Sequence, residues 1–92
     1  MRVAYDKRFV RSIAQLSGEQ VAALQRAGAT AAVTFGQPHL HSGRGIQELR
    51  PGLYECRAGL GLRLLFARHG DELLFIFAGN HDQVKAYLRN RR

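Results

Sequence analysis

The stretch GLYECRAGLGLRLLFARHGDELLFIFAGNHDQVKAY, residues 52–87, decides how this chain folds. Two short glycine-bearing links, Gly59-Leu60-Gly61 and Gly70-Asp71, divide it into apolar runs at 53–58, 62–68 and 73–78. Links this short join antiparallel neighbours, so the runs read as a β-meander. The unbroken run LLFIFA at 73–78 predicts that this last strand is central in the sheet. Asn80 then reads as a helix N-cap, with Gln83 three residues on and Asp82 in the first turn, where the helix dipole favours negative charge. Val84 and Leu88 supply the inward face of that helix.

The polar residues of this stretch are unusual for a sheet. Arg57 and Arg63 interrupt apolar runs, and His81 stands where the last strand hands over to the helix. Strand side chains alternate between faces. Arg57 therefore shares a face with Leu53 and Glu55, and Arg63 with Leu65 and Ala67. A three-residue loop at 59–61 places the two arginines opposite each other; a two-residue loop would place them on opposite faces. Facing cations repel by a few tenths to about 1 kcal/mol, a cost that a bound anion would remove. The plain alternative is a pair of surface arginines bridged to Glu55 or Glu48. Cys56 alternates with Tyr54 toward the core, as a small apolar residue rather than a nucleophile.

Upstream, Arg2–Tyr5 reads as a short strand and Asp6 as a cap. Phe9, Ile13 and Leu16 follow at helical spacing. Ser17 and Gln20 form a second capping pair. Val21, Leu24, Gly28, Ala31 and Phe35 continue at threes and fours, which predicts a helix of about 17 residues packed as a hairpin on the first. A stop at Gly28, with a strand at 31–35, is the competing reading; Gly36 and Pro38 favour the long helix. Residues 37–45 (QPHLHSGRG) form a polar loop, Ile46–Arg50 another strand, and Pro51-Gly52 a turn. The order is β-α-α-β-β-β-β(-α) in one domain spanning 1–92: an α+β fold with a helical hairpin on one face of a mainly antiparallel sheet and a short C-terminal helix.

Lys and Arg total 14 against 7 Asp and Glu, a formal net charge of +7. That excess favours a polyanionic partner such as RNA, DNA or an acidic protein. The single cysteine permits no internal disulfide and fits a reducing cytoplasm. No apolar stretch approaches the roughly 20 residues that a membrane helix needs, and residues 1–9 lack the apolar core of a signal peptide. His39 and His41 sit as His-x-His without a third ligand at metal spacing, so no metal is expected.

In their order and spacing, GLYECR, then GLRLLF, then AGNHDQVKAYL, preceded by a helical hairpin, resemble the RelE/ParE superfamily of bacterial toxins from type II toxin–antitoxin systems. The likeness runs over nearly the whole chain. It implies one of two activities. RelE-type members are ribosome-dependent endoribonucleases that cut mRNA in the ribosomal A site without a metal or other cofactor. ParE-type members are binding toxins that poison DNA gyrase. A third outcome is a degenerate RNA- or protein-binding module of the same fold.

The RelE-like branch carries basic residues on the strand matching 53–58, an Arg matching Arg63, and an Arg or His just after the last strand. Here these are Arg57, Arg63 and His81, with Tyr87 in the final helix as a fourth catalytic candidate. The resemblance thus implies a cytoplasmic mRNA interferase, with a neutralising antitoxin, the ribosome and mRNA as partners. Arg44, His39, His41 and Arg50 are the RNA-binding candidates. His81 suits proton transfer, because imidazole titrates near neutral pH. Arg57 and Arg63 suit the scissile phosphate, because guanidinium offers fixed, paired donors. Two departures stand out. Glu55 occupies a position where some relatives have Lys. Tyr87 follows His81 by six residues, about 240° around an ideal helix.

Overall fold

The computed structural model describes residues 1–35, 45–59 and 61–90. The elements run β1 (Arg2–Tyr5), α1 (Lys7–Ile13), α2 (Gly18–Phe35), β2 (Ile46–Arg50), β3 (Leu53–Arg57), β4 (Arg63–His69), β5 (Glu72–Gly79) and α3 (His81–Arg89). The five strands form one sheet in the order β1-β5-β4-β3-β2. β2 to β5 are the antiparallel meander, and β1 joins β5 in parallel. β4 takes the central position that the apolar run suggested for β5; β5 lies next to it, kept from the edge only by the parallel β1.

Local capping sets the helix starts. The Asp6 carboxylate accepts the Arg8 backbone N–H at 2.8 Å, and the Arg8 guanidinium donates to both of its oxygens at 3.0 Å. Those bonds hold the Asp6 carboxyl down at about pKa 2. Ser17 and Gln20 exchange reciprocal bonds of 3.0 and 3.1 Å at the start of α2. α2 then continues through Gly28 to Phe35, so residues 31–35 are helical rather than a strand. Packing explains the glycine. A β-carbon on Gly28 would lie 2.6 Å from Cε2 of Phe75, so the aromatic ring occupies the space a side chain would need. The helix gives up about 1 kcal/mol of propensity there.

The core lies between this hairpin and the sheet. Phe9, Leu24, Ala31 and Phe35 pack on Cys56, Leu64, Phe66, Leu73 and Phe75. Phe35 meets Tyr54 edge-on at 4.8 Å and Phe66 at 5.6 Å. The second sheet face is only partly open. α3 packs on β4 and β5, and Val84 and Leu65 are buried there, outside the hairpin-side cluster.

β1 is too short to cover the whole edge of β5. Its pairing ends at Tyr5 opposite Phe75. Beyond it the Asp6 N–H donates to the Phe75 carbonyl at 2.9 Å. Further on, the Ala78 N–H donates to the Ser12 hydroxyl at 3.0 Å, and that hydroxyl donates to the Phe9 carbonyl at 2.7 Å. A side chain of α1 thus supplies the acceptor that a longer β1 would have given. The β4–β5 register shifts between Leu65 and Phe66, and the β2–β3 register between Glu48 and Arg50. These bulges bend the strands locally.

Candidate functional site

The β3–β4 hairpin closes with Ala58 N–H donating to the Leu62 carbonyl at 2.9 Å and Leu62 N–H to the Gly59 carbonyl at 2.8 Å. Gly59 and Gly61 both adopt φ of 75°, a region that favours glycine. This closure makes Arg57 the cross-strand partner of Arg63, and Arg63 in turn pairs with Gly79 of β5. The spacing of the two arginines in sequence therefore puts them side by side, as the three-residue loop requires.

Gly79 carries the row to the helix. A β-carbon there would stand 2.8 Å from the Gln83 side-chain oxygen, so the absence of a side chain lets the first turn of α3 close onto the strand. Asn80 then caps α3. Its N–H donates to Gln83 Oε1 and its Oδ1 accepts the Gln83 N–H, both at 2.8 Å. His81 becomes the first helical residue and is exposed. Arg57, Arg63, His81 and Asp82 line one depression of about 520 Å³, rimmed by Gly59 and Gly61.

The two arginines are held differently. Arg63 Nη1 donates to Glu55 Oε1 at 2.6 Å, and only 10% of the Glu55 side chain is exposed. Arg57 is exposed and has no side-chain partner among the described residues. Arg63 is thus a fixed cation and Arg57 one able to follow a ligand. Glu48 serves elsewhere: its carboxylate accepts the Gly52 N–H at 3.2 Å, and its cross-strand neighbour is Tyr54, on the face opposite the arginines. Burial pushes the Cys56 thiol up to about pKa 12, leaving it protonated and unreactive at neutral pH.

Tyr87 is not among the residues lining this depression. Its ring stacks on Phe77 at 4.7 Å, and the Arg8 guanidinium lies 5.9 Å from its centroid. Tyr87 ties α3 to the sheet and to α1. Arg50 pairs opposite Leu53, at the other end of β3 from Arg57. The strand rise of about 3.3 Å per residue separates them by roughly 13 Å. His39, His41 and Arg44 lie outside the described residues. Asp82 was read from the sequence only as a first-turn acid; its place beside His81 on the rim follows from the Asn80 cap.

No family model matches the chain. No curated protein matches it either. Solved structures do. A copper-bound mutant toxin from Helicobacter pylori is 19% identical with a TM-score of 0.71, covering 91% of this chain and 98% of that one. A chain of the RelB-RelE antitoxin-toxin complex from Methanococcus jannaschii is 16% identical with a TM-score of 0.64, covering 91% and 96%. YafQ from E. coli is 13% identical with a TM-score of 0.65, covering 91% and 98%. The α+β architecture, the strand order and this chain-long similarity together identify the fold of this protein as that of the RelE-like toxins.

Proposed function

We propose that this protein is the toxin of a type II toxin–antitoxin pair and acts as a ribosome-dependent mRNA endoribonuclease. The observation that carries the reading is the gathering of Arg57, Arg63 and His81 around one depression. The net charge of +7 suits an RNA substrate.

In the proposed reaction the RNA 2′-hydroxyl attacks the adjacent phosphorus. The new P–O2′ bond closes a cyclic phosphate while the P–O5′ bond breaks. The 2′ proton must leave and the 5′-oxygen must gain one. His81 is the group placed for proton transfer. Arg63, fixed by Glu55, and Arg57, free to move, bind the phosphate and the charge that develops on it. The fixed cation contributes preorganisation, the mobile one adjustment to the substrate. A cognate antitoxin with an acidic segment would neutralise the toxin by covering this basic face.

The test is primer extension on an mRNA in a purified translation system, with and without ribosomes. Cleavage of ribosome-bound message alone, at fixed positions within codons, is the expected result. His81→Ala and Arg63→Ala should abolish it while leaving the circular dichroism spectrum unchanged. Intact message at a dose that still arrests growth overturns the reading, and trapped, cleaved DNA on gyrase would then support the binding-toxin alternative.

A further inference from the structure

Arg57 borders a second depression. On the hairpin side of β3, a cleft of about 240 Å³ opens between α2 and the β2–β3 strands. Its floor is apolar, formed by Ala27 of α2, Ile46 of β2 and Cys56 of β3. Its rim is polar, with Arg26 and Thr30 on the α2 side and Arg57 on the β3 side. Arg26 and Thr30 are exposed. Neither Arg26 nor Arg57 has a side-chain partner among the described residues. An apolar slot flanked by two guanidinium groups suits a flat aromatic group attached to an anion. Unstacked bases are held between aromatic or apolar side chains or on guanidinium planes, while cations meet the phosphate.

We infer that this cleft is a nucleotide subsite, in which a base of single-stranded RNA flanking the scissile phosphate rests on the Ala27–Cys56 floor while Arg26 and Arg57 hold its phosphates. The inference rests on the nuclease reading and extends it. Arg57 would be shared, with the strand passing from the His81 depression over Arg57 and into the cleft. Arg26 acts as a binding residue there, remote from the reacting atoms. Nothing in the local sequence marks it, because Arg26 is a solitary exposed cation on a helix and shares a cleft with Arg57 only through the packing of α2 on β3.

The experiment measures fluorescence anisotropy of a labelled single-stranded oligoribonucleotide on the intact protein over a salt series, with a parallel scan of abasic substitutions along the oligonucleotide. Arg26→Ala should weaken binding several-fold and reduce the slope of log affinity against log salt by about 0.7, the value for one lost phosphate contact on a single strand. Ala27→Leu, which fills the floor, should also weaken binding. One abasic position should weaken binding to the wild-type protein and have no effect on Ala27→Leu. Melting curves of both variants establish that they are folded, and Arg26→Lys should keep most of the salt slope.

Absence of oligoribonucleotide binding by the wild-type protein overturns the inference. So does indifference of binding to Arg26→Ala, or an abasic scan with no sensitive position. The two readings fail separately. Binding that depends on Arg26 without cleavage on ribosomes removes the nuclease reading alone. Cleavage that requires His81, with binding indifferent to Arg26 and Ala27, removes the subsite alone.

Discussion

Arg57 and Arg63 face each other across neighbouring strands, and Arg63 is the one neutralised, through a 2.6 Å bond to Glu55. The Glu55 carboxylate therefore does two things. It satisfies a half-buried guanidinium, and it offsets the repulsion between two adjacent cations. Glu55→Gln keeps an acceptor for Arg63 but removes its charge, and should lower stability by about 1 kcal/mol, the difference between a charge-assisted and a neutral hydrogen bond. Added sulfate should raise the melting temperature of the variant more than that of the wild type, because an anion bound between the arginines replaces the lost charge. Equal shifts in the two proteins would remove this account of the pair.

Gly28 tests the packing of the hairpin on the sheet. Gly28→Ala improves helix propensity by about 1 kcal/mol yet pushes a methyl to within 2.6 Å of the Phe75 ring. Overpacking costs of about 1–3 kcal/mol prevail where a core aromatic cannot retreat. Phe75 is 4% exposed and lies edge-on to Phe9 at 5.6 Å. The expected outcome is a lower urea midpoint for Gly28→Ala. Gly18→Ala, with nothing within 4 Å, is the control and should leave the midpoint nearly unchanged.

The Asn80 cap links local structure to the proposed chemistry. Asn80→Ala removes the acceptor for the Gln83 N–H and should cost about 1 kcal/mol of stability. It also loosens the first turn of α3, which presents His81. Under the proposed nuclease reading, RNA cleavage should fall about tenfold or more, since misplacing a reacting group by about 1 Å costs up to 100-fold. Asn80→Asp keeps the cap and should restore both. Full cleavage by a destabilised Asn80→Ala would show that His81 needs no such positioning.

Cys56 predicts an alkaline limit. Its folded-state pKa is raised to about 12 by burial, so the folded chain keeps the thiol proton where the unfolded chain has lost it. The resulting stabilisation is complete below the ordinary thiol value near 9 and is lost as pH rises toward 12. Stability measured between pH 9 and 12 should fall less steeply for Cys56→Ala than for the wild type. At pH 8 a thiol reagent should label the native protein at least 100-fold more slowly than the urea-unfolded chain. Rapid labelling of the native state would contradict this burial.

Much of the site was legible because its geometry is local. The three-residue link fixes Arg57 opposite Arg63, and the Asn80–Gln83 pair fixes where His81 begins a helix. What depends on distant chain was hidden. Val84 marks the apolar side of α3, but periodicity does not say which sheet face receives it. Tyr87 follows from that placement: it faces Phe77 and Arg8, away from the arginines. The bulge in β5 was invisible because LLFIFA is apolar at every position, so no alternation marks where the register slips. Glu48 and Glu55 looked interchangeable as acids. The sheet register sends one to the β2–β3 turn and the other to Arg63.

The parallel pairing of β1 with β5 has a consequence in time. Arg2 of β1 bonds Asp71, 69 positions further along the chain. β1 cannot be placed until β5 exists, and closing so long a loop before its contacts form makes such pairings slow. His81 follows directly on that late strand. As the chain emerges during translation, its basic hairpin is made before the helix start that completes the site. The native depression is therefore a late product of folding, absent from the nascent chain until β5 and α3 have emerged.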